Sequence, residues 1–253
     1  MPSLDEAHRM FRAYSTTWYE PAMQMPLPLN RAITSTYLSL RAIDEVEDDP
    51  QLPPDSKAVI LHGISRVFQQ QWVADDFSWL AADHGALLPE VTQRIGEWAL
   101  QAPVDIAGRI HETTATMAER MADWALSGWH VRNEADLDRY TYAVASTMVL
   151  LLSDLWSWYD GTRTNRWHSI GYGRAVQAVN IYIDAGRDRA RGVDFWPEGW
   201  SADRMSAYAK RQMTLADAYV AALPPGPARD FCTPPATAAH LALLAPLPVA
   251  PAG

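Results

Sequence analysis

Cysteine is almost missing from this 253-residue chain, with Cys232 its single example. No intramolecular disulfide and no cysteine zinc site can form, which fits a reducing compartment and a cytoplasmic location. Basic charge is short as well: 21 Lys and Arg stand against 30 Asp and Glu, a formal net charge of −9. Phosphate backbones are gripped by clustered cations, so no nucleic-acid partner is expected. A small polyanion remains open if metal ions mediate the contact. Long apolar runs are absent too. The longest, around Ala143–Leu152, is too short for a membrane span and contains Ser146 and Thr147, so no integral membrane segment is expected. The opening MPSLDEAHRMFRAYS lacks the basic-then-apolar order of a signal peptide. No Gly-rich phosphate loop, Walker motif or dinucleotide fingerprint occurs, so nothing points to NADPH. The seven histidines show no ligand spacing and read as structural or surface residues.

What is present is helical periodicity. Apolar spacing of the helix type recurs over 33–43, 58–79, 91–100, 106–129, 137–159, 169–189 and 202–223, and sustained strand-type alternation is lacking. Breaks fall at Pro50, Pro53-Pro54, Pro89, Pro103, Asp160-Gly161, Pro197 with Gly199, and the Pro224–Pro227 cluster. Asn133 before Glu134-Ala135-Asp136 reads as a helix cap. Nearly half the residues are apolar, enough for a substantial core. The expected fold is one all-α domain over residues 1–232. From Thr233 a Pro/Ala-rich tail, 233–253, is expected to hold at most a short helix.

Two acidic stretches stand out. LRAIDEVEDDP puts Asp44, Glu45, Glu47, Asp48 and Asp49 at the end of an apolar helix. Asp44 and Asp48 are four apart and share a face. Like charges at that spacing cost roughly 0.2–0.5 kcal/mol per pair, and acids at a helix C-terminus oppose its dipole. A solvated face tolerates that cost; a divalent cation would reverse it. In QAVNIYIDAGRDRARG, Gln177, Asn180, Asp184 and Asp188 form a second row, on a helix that also carries Val176, Val179, Ile181 and Ile183. The row is either an exposed polar stripe or the partner of the first. Two such helices facing each other across a bundle would suit magnesium, which takes one or two carboxylates and completes its shell with water and substrate phosphates.

At these residues the chain resembles the squalene/phytoene synthase family, over about Tyr14–Cys232. LRAIDEVEDD is similar to the family's first aspartate-rich motif, DRYTYAVASTMVLLLSDL to its tyrosine-bearing central helix, and GYGRAVQAVNIYIDAGRDRARGVDFWP to its second aspartate-rich motif. The resemblance implies a helical bundle of the isoprenoid synthase type with a central apolar cavity. It implies that Asp44, Glu47 and Asp48 hold one magnesium cluster, and Asp184 and Asp188 the other, with manganese as a substitute metal. Gln177 and Asn180 would line the pocket, Arg41 would contact diphosphate or else pair with Asp44 or Glu45, and Tyr140 falls at the central tyrosine. Asp44, Asp184 and Tyr140 are thus the catalytic candidates. The chain also departs from the pattern. Ile183 replaces an arginine, Arg187 replaces an acid, Ala143 a second tyrosine and Ser146 a glycine; the C-terminal region reads as short of the family's last helix, and the anchor of the eukaryotic enzymes is missing.

The implied reaction is coupling of two prenyl units, C15 or C20, head-to-head with release of diphosphate, any membrane contact being peripheral and through the product. Magnesium would offset charge on the leaving oxygens, and a dry apolar cavity would protect the carbocation. Eleven Trp, ten Tyr and five Phe supply rings that attract a cation; Trp124, Trp129, Trp156, Trp158 and Tyr172 lie near the motifs, and Tyr172 is taken as substrate-binding. Two alternatives stand beside coupling: ionisation of a single prenyl diphosphate followed by cyclisation or quenching, and non-catalytic binding, favoured by Arg187 between two aspartates.

Overall fold

The computed structural model describes residues 2–15, 17–190 and 192–245, and among them there is helix and no strand. The helices divide into two compact units, Met1–Leu126 and Ser127–Gly253, a division that falls inside the span expected as one domain. No helix among the described residues is long and apolar enough to cross a membrane.

In the first unit, α1 (Leu4–Tyr14) and the short α2 (Tyr19–Met23) lead into α3 (Leu27–Asp48). Proline in its first turn suits a position where the backbone N–H has no partner anyway. Buried Asn30 ties the three together: its amide donates to the Ala22 carbonyl at 2.8 Å and its oxygen pairs with His8 at 2.8 Å. α3 buries Leu29, Ile33, Leu38, Ile43 and Val46, each contributing about 1.5–3 kcal/mol by leaving water. It packs against α8 (Val104–Leu126), with α4 (Pro54–Phe68), α6 (Glu90–Gln93) and α7 (Ile95–Ala99) alongside. The helix expected over 58–79 ends at Phe68 instead. Chain reversal lets Phe68, Trp72 and Phe77 meet, with centroids 4.8–5.4 Å apart. Asp76 then caps the Val73 N–H at 2.8 Å, opening a single 3-10 turn before α5 (Trp79–His84).

The second unit contains α9 (Glu134–Thr141), a π-helical segment over Tyr142–Ser146, α10 (Thr147–Asp160), α11 (Arg166–Ala190), α12 (Ala202–Ala222) and α13 (Pro227–Leu244). Asn133 caps α9 by accepting the Asp136 N–H at 3.0 Å. Gly161, left-handed at φ 78°, stops α10 and makes the expected helix–helix loop. Expectation and structure part at the C-terminus. Residues 233–244 continue an 18-residue helix through Pro234 and Pro235, and residues 246–253 lie outside the described ones. The two prolines remove N–H donors but not apolar surface. Phe231, Cys232, Pro235, Ala236 and Ala239 are buried as α13 packs on α11 and α12, and that burial outweighs the local break.

Candidate active site

The first acidic motif closes α3. Pro50 ends the helix because it offers no N–H to the Val46 carbonyl. Asp44 keeps about a third of its side chain exposed, Asp48 is exposed, and Glu47 is buried. Arg41, one turn earlier, donates to Asp44 at 2.5 Å and also pairs with Glu45. Its guanidinium lies 5.6 Å from the centre of the Tyr14 ring. Tyr37 donates to the Tyr14 carbonyl at 2.7 Å, and burial pushes its hydroxyl up to about 12. Of the two roles open to Arg41, the structure displays the ion pair.

The second motif lies on α11. Asp184 is half-buried and pairs with Arg187 at 3.2 Å, while Asp188 is 7% exposed. Gln177 is half-buried and Asn180 is exposed. After α11 the chain folds back along the helix: Val193 N–H donates to the Asp188 carbonyl at 3.1 Å, Asp194 pairs with Arg189 at 3.0 Å, and the Trp196 indole N–H donates to the Ile181 carbonyl at 3.2 Å. Trp196 also lies parallel to Tyr182. That strap lays Phe195 on Tyr140 with centroids 4.6 Å apart and planes 18° apart, so the second motif and the candidate tyrosine share one substructure. Phe195 was not legible as a site residue, since only the return of the strap brings it to α9.

Tyr140 is buried at the end of α9, immediately before the π-helical turn. Such a turn shifts the register of the side chains after it and is frequent at functional sites. α11 meets this turn closely. A Cβ on Gly173 would lie 2.4 Å from the Ser146 Cα, and Ser146 donates its hydroxyl to the Ile170 carbonyl at 2.8 Å.

The structure places two of the aromatic candidates in the core. Tyr172 is fully buried, its hydroxyl donates to the Cys232 carbonyl at 2.7 Å, and its ring meets Tyr219 edge-on. Trp156 likewise belongs to the core, its indole donating to the Tyr219 hydroxyl at 3.1 Å. Both rings serve the packing of α10 through α13.

Among the described residues no three Asp, Glu, His or Cys side chains come together as a metal-holding group. The donor set at the end of α3 nevertheless fits magnesium. Asp44 and Asp48 offer two accessible carboxylates on one face, which is as many as the ion usually takes from protein. The donors on α11 fit less well, because Asp184 already faces an arginine and Asp188 is buried.

Among the described residues this is an all-helical protein with carboxylates beside arginines on α3 and α11. The squalene/phytoene synthase family model matches residues 11–206, and the chain belongs to that family. It is 27% identical over 242 residues to the squalene synthase of Eremothecium gossypii, covering 85% of this chain and 52% of that one. With the human squalene synthase it is 28% identical over 192 residues, 68% of this chain and 42% of the relative. The chain thus spans about half the length of the curated relatives it matches. Among solved structures, TcSQS with a bound ligand superposes with a TM-score of 0.77 at 20% identity, over 94% of this chain and 76% of that one. A dehydrosqualene synthase in complex with a ligand gives 0.60 at 15%, over 92% and 82%. Those two likenesses establish the fold.

Proposed function

We propose that the chain is a magnesium-dependent prenyltransferase that couples two allylic isoprenyl diphosphates head-to-head and releases diphosphate. The observation that carries this reading is the pair Asp44 and Asp48 on one face of α3, beside Arg41, in a chain of this family. Magnesium held by Asp44 and Asp48, with Glu47 behind them, would act as a Lewis acid on the leaving oxygens. Arg41 contributes a planar fork suited to phosphate oxygens once it leaves Asp44. Asp184 and Asp188 supply carboxylates from α11, and Gln177 and Asn180, on the same helix, supply amides. Tyr140 is held by its stack on Phe195, so its hydroxyl direction is set before substrate arrives. Scarce cysteine fits a cytoplasmic site of action.

A second reading rests on the Arg187–Asp184 pair. An arginine among these carboxylates offsets charge that a metal ion would otherwise balance. Ionisation of one prenyl diphosphate would then be followed by cyclisation or capture by water, without coupling. One experiment separates the two. The protein is incubated with C10, C15 and C20 diphosphates and magnesium, and the extract is analysed by mass. A doubled hydrocarbon or a cyclopropyl diphosphate, lost in Asp44→Asn, is the expected result. Products that keep one prenyl skeleton, and become more abundant relative to doubled ones with Arg187 than with Arg187→Glu, favour the second reading. Diphosphate release no faster than without protein overturns both.

A further inference from the structure

Of the 21 cationic side chains only two are lysines, Lys57 and Lys210. Lys210 is exposed on α12, whereas Lys57 is 6% exposed. Burying an ammonium is costly unless its charge is met. The dipole of its own helix works against it, because Lys57 stands near the start of α4, where the positive end repels a cation. One compensating contact comes from α3. The Lys57 ammonium donates to the main-chain carbonyl of Glu47, one residue before Asp48.

α3 ends at this turn. The donor that would continue the helix is the Gln51 N–H, and Asp49 takes it through its side chain at 2.7 Å. Pro50 denies a donor to the preceding carbonyl as well. The backbone donors that would carry α3 further are thus engaged elsewhere or missing, beside a run of acids, and a helix end of that kind frays. A compact ammonium from α4 closes it. An arginine's planar fork suits two parallel acceptors, whereas a single carbonyl in a tight space suits lysine, which explains why an arginine-rich chain places a lysine here.

We infer that Lys57 is a positioning residue for the first acidic motif: it clamps the last turn of α3 so that Asp44 and Asp48 are held on one face for a divalent cation. The inference rests on the proposed diphosphate function, but its test does not require turnover. Simple electrostatics and clamping predict opposite signs. Removing a positive charge near carboxylates would tighten cation binding; removing a clamp weakens it.

The experiment is calorimetric titration of inorganic pyrophosphate into the full chain at fixed Mn²⁺, with amide hydrogen exchange on the same samples. Lys57→Met is expected to bind about tenfold or more weakly, the size typical of losing a group that orients a metal ligand. Exchange should quicken over residues 44–49 and stay unchanged over 27–38. Lys57→Arg, which keeps the charge but replaces the compact ammonium with a planar fork, should recover only a minor part of the binding, and Lys210→Met should match wild type. If Lys57→Met does not fold, Lys57→Gln is read in its place with the same expectation. Unchanged or tighter binding in the folded variant overturns the inference while leaving the function standing. A wild-type chain that binds no Mn²⁺–pyrophosphate overturns the function and the inference together.

Discussion

Asp136 illustrates how a single residue is fixed in this protein. It is 1% exposed, its carboxylate accepts the Arg132 N–H at 3.0 Å, and it pairs with Arg132 and Arg139. Burial alone would raise its pKa, but the backbone bond and the two guanidinium charges win and hold it below the usual carboxylate range. Stability from such a group is present above the unfolded-state pKa, about 3.9, and is lost as pH falls through the lower folded-state value. Asp136→Asn is therefore expected to lower stability at pH 7 by about 1–3 kcal/mol. In urea unfolding the gap to wild type should narrow as pH falls through the lowered folded-state value, below which Asp136 is protonated in both states. A gap that is constant with pH would show that shape, not charge, holds the site. At this scale the sequence announced Asp44, Asp48, Asp184 and Asp188, because acids repeated along a helix face are conspicuous. Lys57 was not legible, since one lysine after two prolines has no pattern. The burial of Tyr172 was not legible either: proximity to a motif says nothing about where a hydroxyl points.

Among the elements, α11 depends on two glycines for its fit. A Cβ on Gly171 would lie 2.3 Å from the Leu215 Cβ of α12, and one on Gly173 would lie within 2.8 Å of three main-chain atoms of the π-helical turn. Main chain cannot step aside as a flexible side chain can. Gly173→Ala is expected to destabilise by about 1–3 kcal/mol through overpacking, a fall of roughly 2–10 °C in Tm for a chain of this size. Calorimetry checks it, and an unchanged Tm would mean that α11 does not sit so close to Ser146 in solution. Helix existence was largely visible in advance, since 3.6-residue apolar spacing is local information. The ends were less so. The helix from Ala58 stops at Phe68 because three aromatic rings gather, and α13 runs past Pro234-Pro235 because α11 and α12 bury its face.

For the molecule as a whole, Cys232 offers a reporter of the second unit. Its thiol is fully buried, and burial raises its pKa so that thiolate is scarce at neutral pH. A disulfide reagent at pH 7–8 (about the working range of such reagents) should label native protein only as residues 127–253 open, and promptly in denaturant. Prompt labelling of the native chain would show that α13 leaves α11 readily, with Tyr172 and the Cys232 carbonyl parted. By itself the sequence determined that this is a helical protein, acidic, with paired carboxylates at two helix positions and a family likeness at both, because periodicity and spacing are properties of neighbouring residues. Only the tertiary structure decided that Lys57 closes α3, that Phe195 covers Tyr140, that Arg187 faces Asp184 and that Tyr172 belongs to the core. Burial and hydrogen-bond partners are set by residues distant in the chain, and no local pattern encodes which of them will meet.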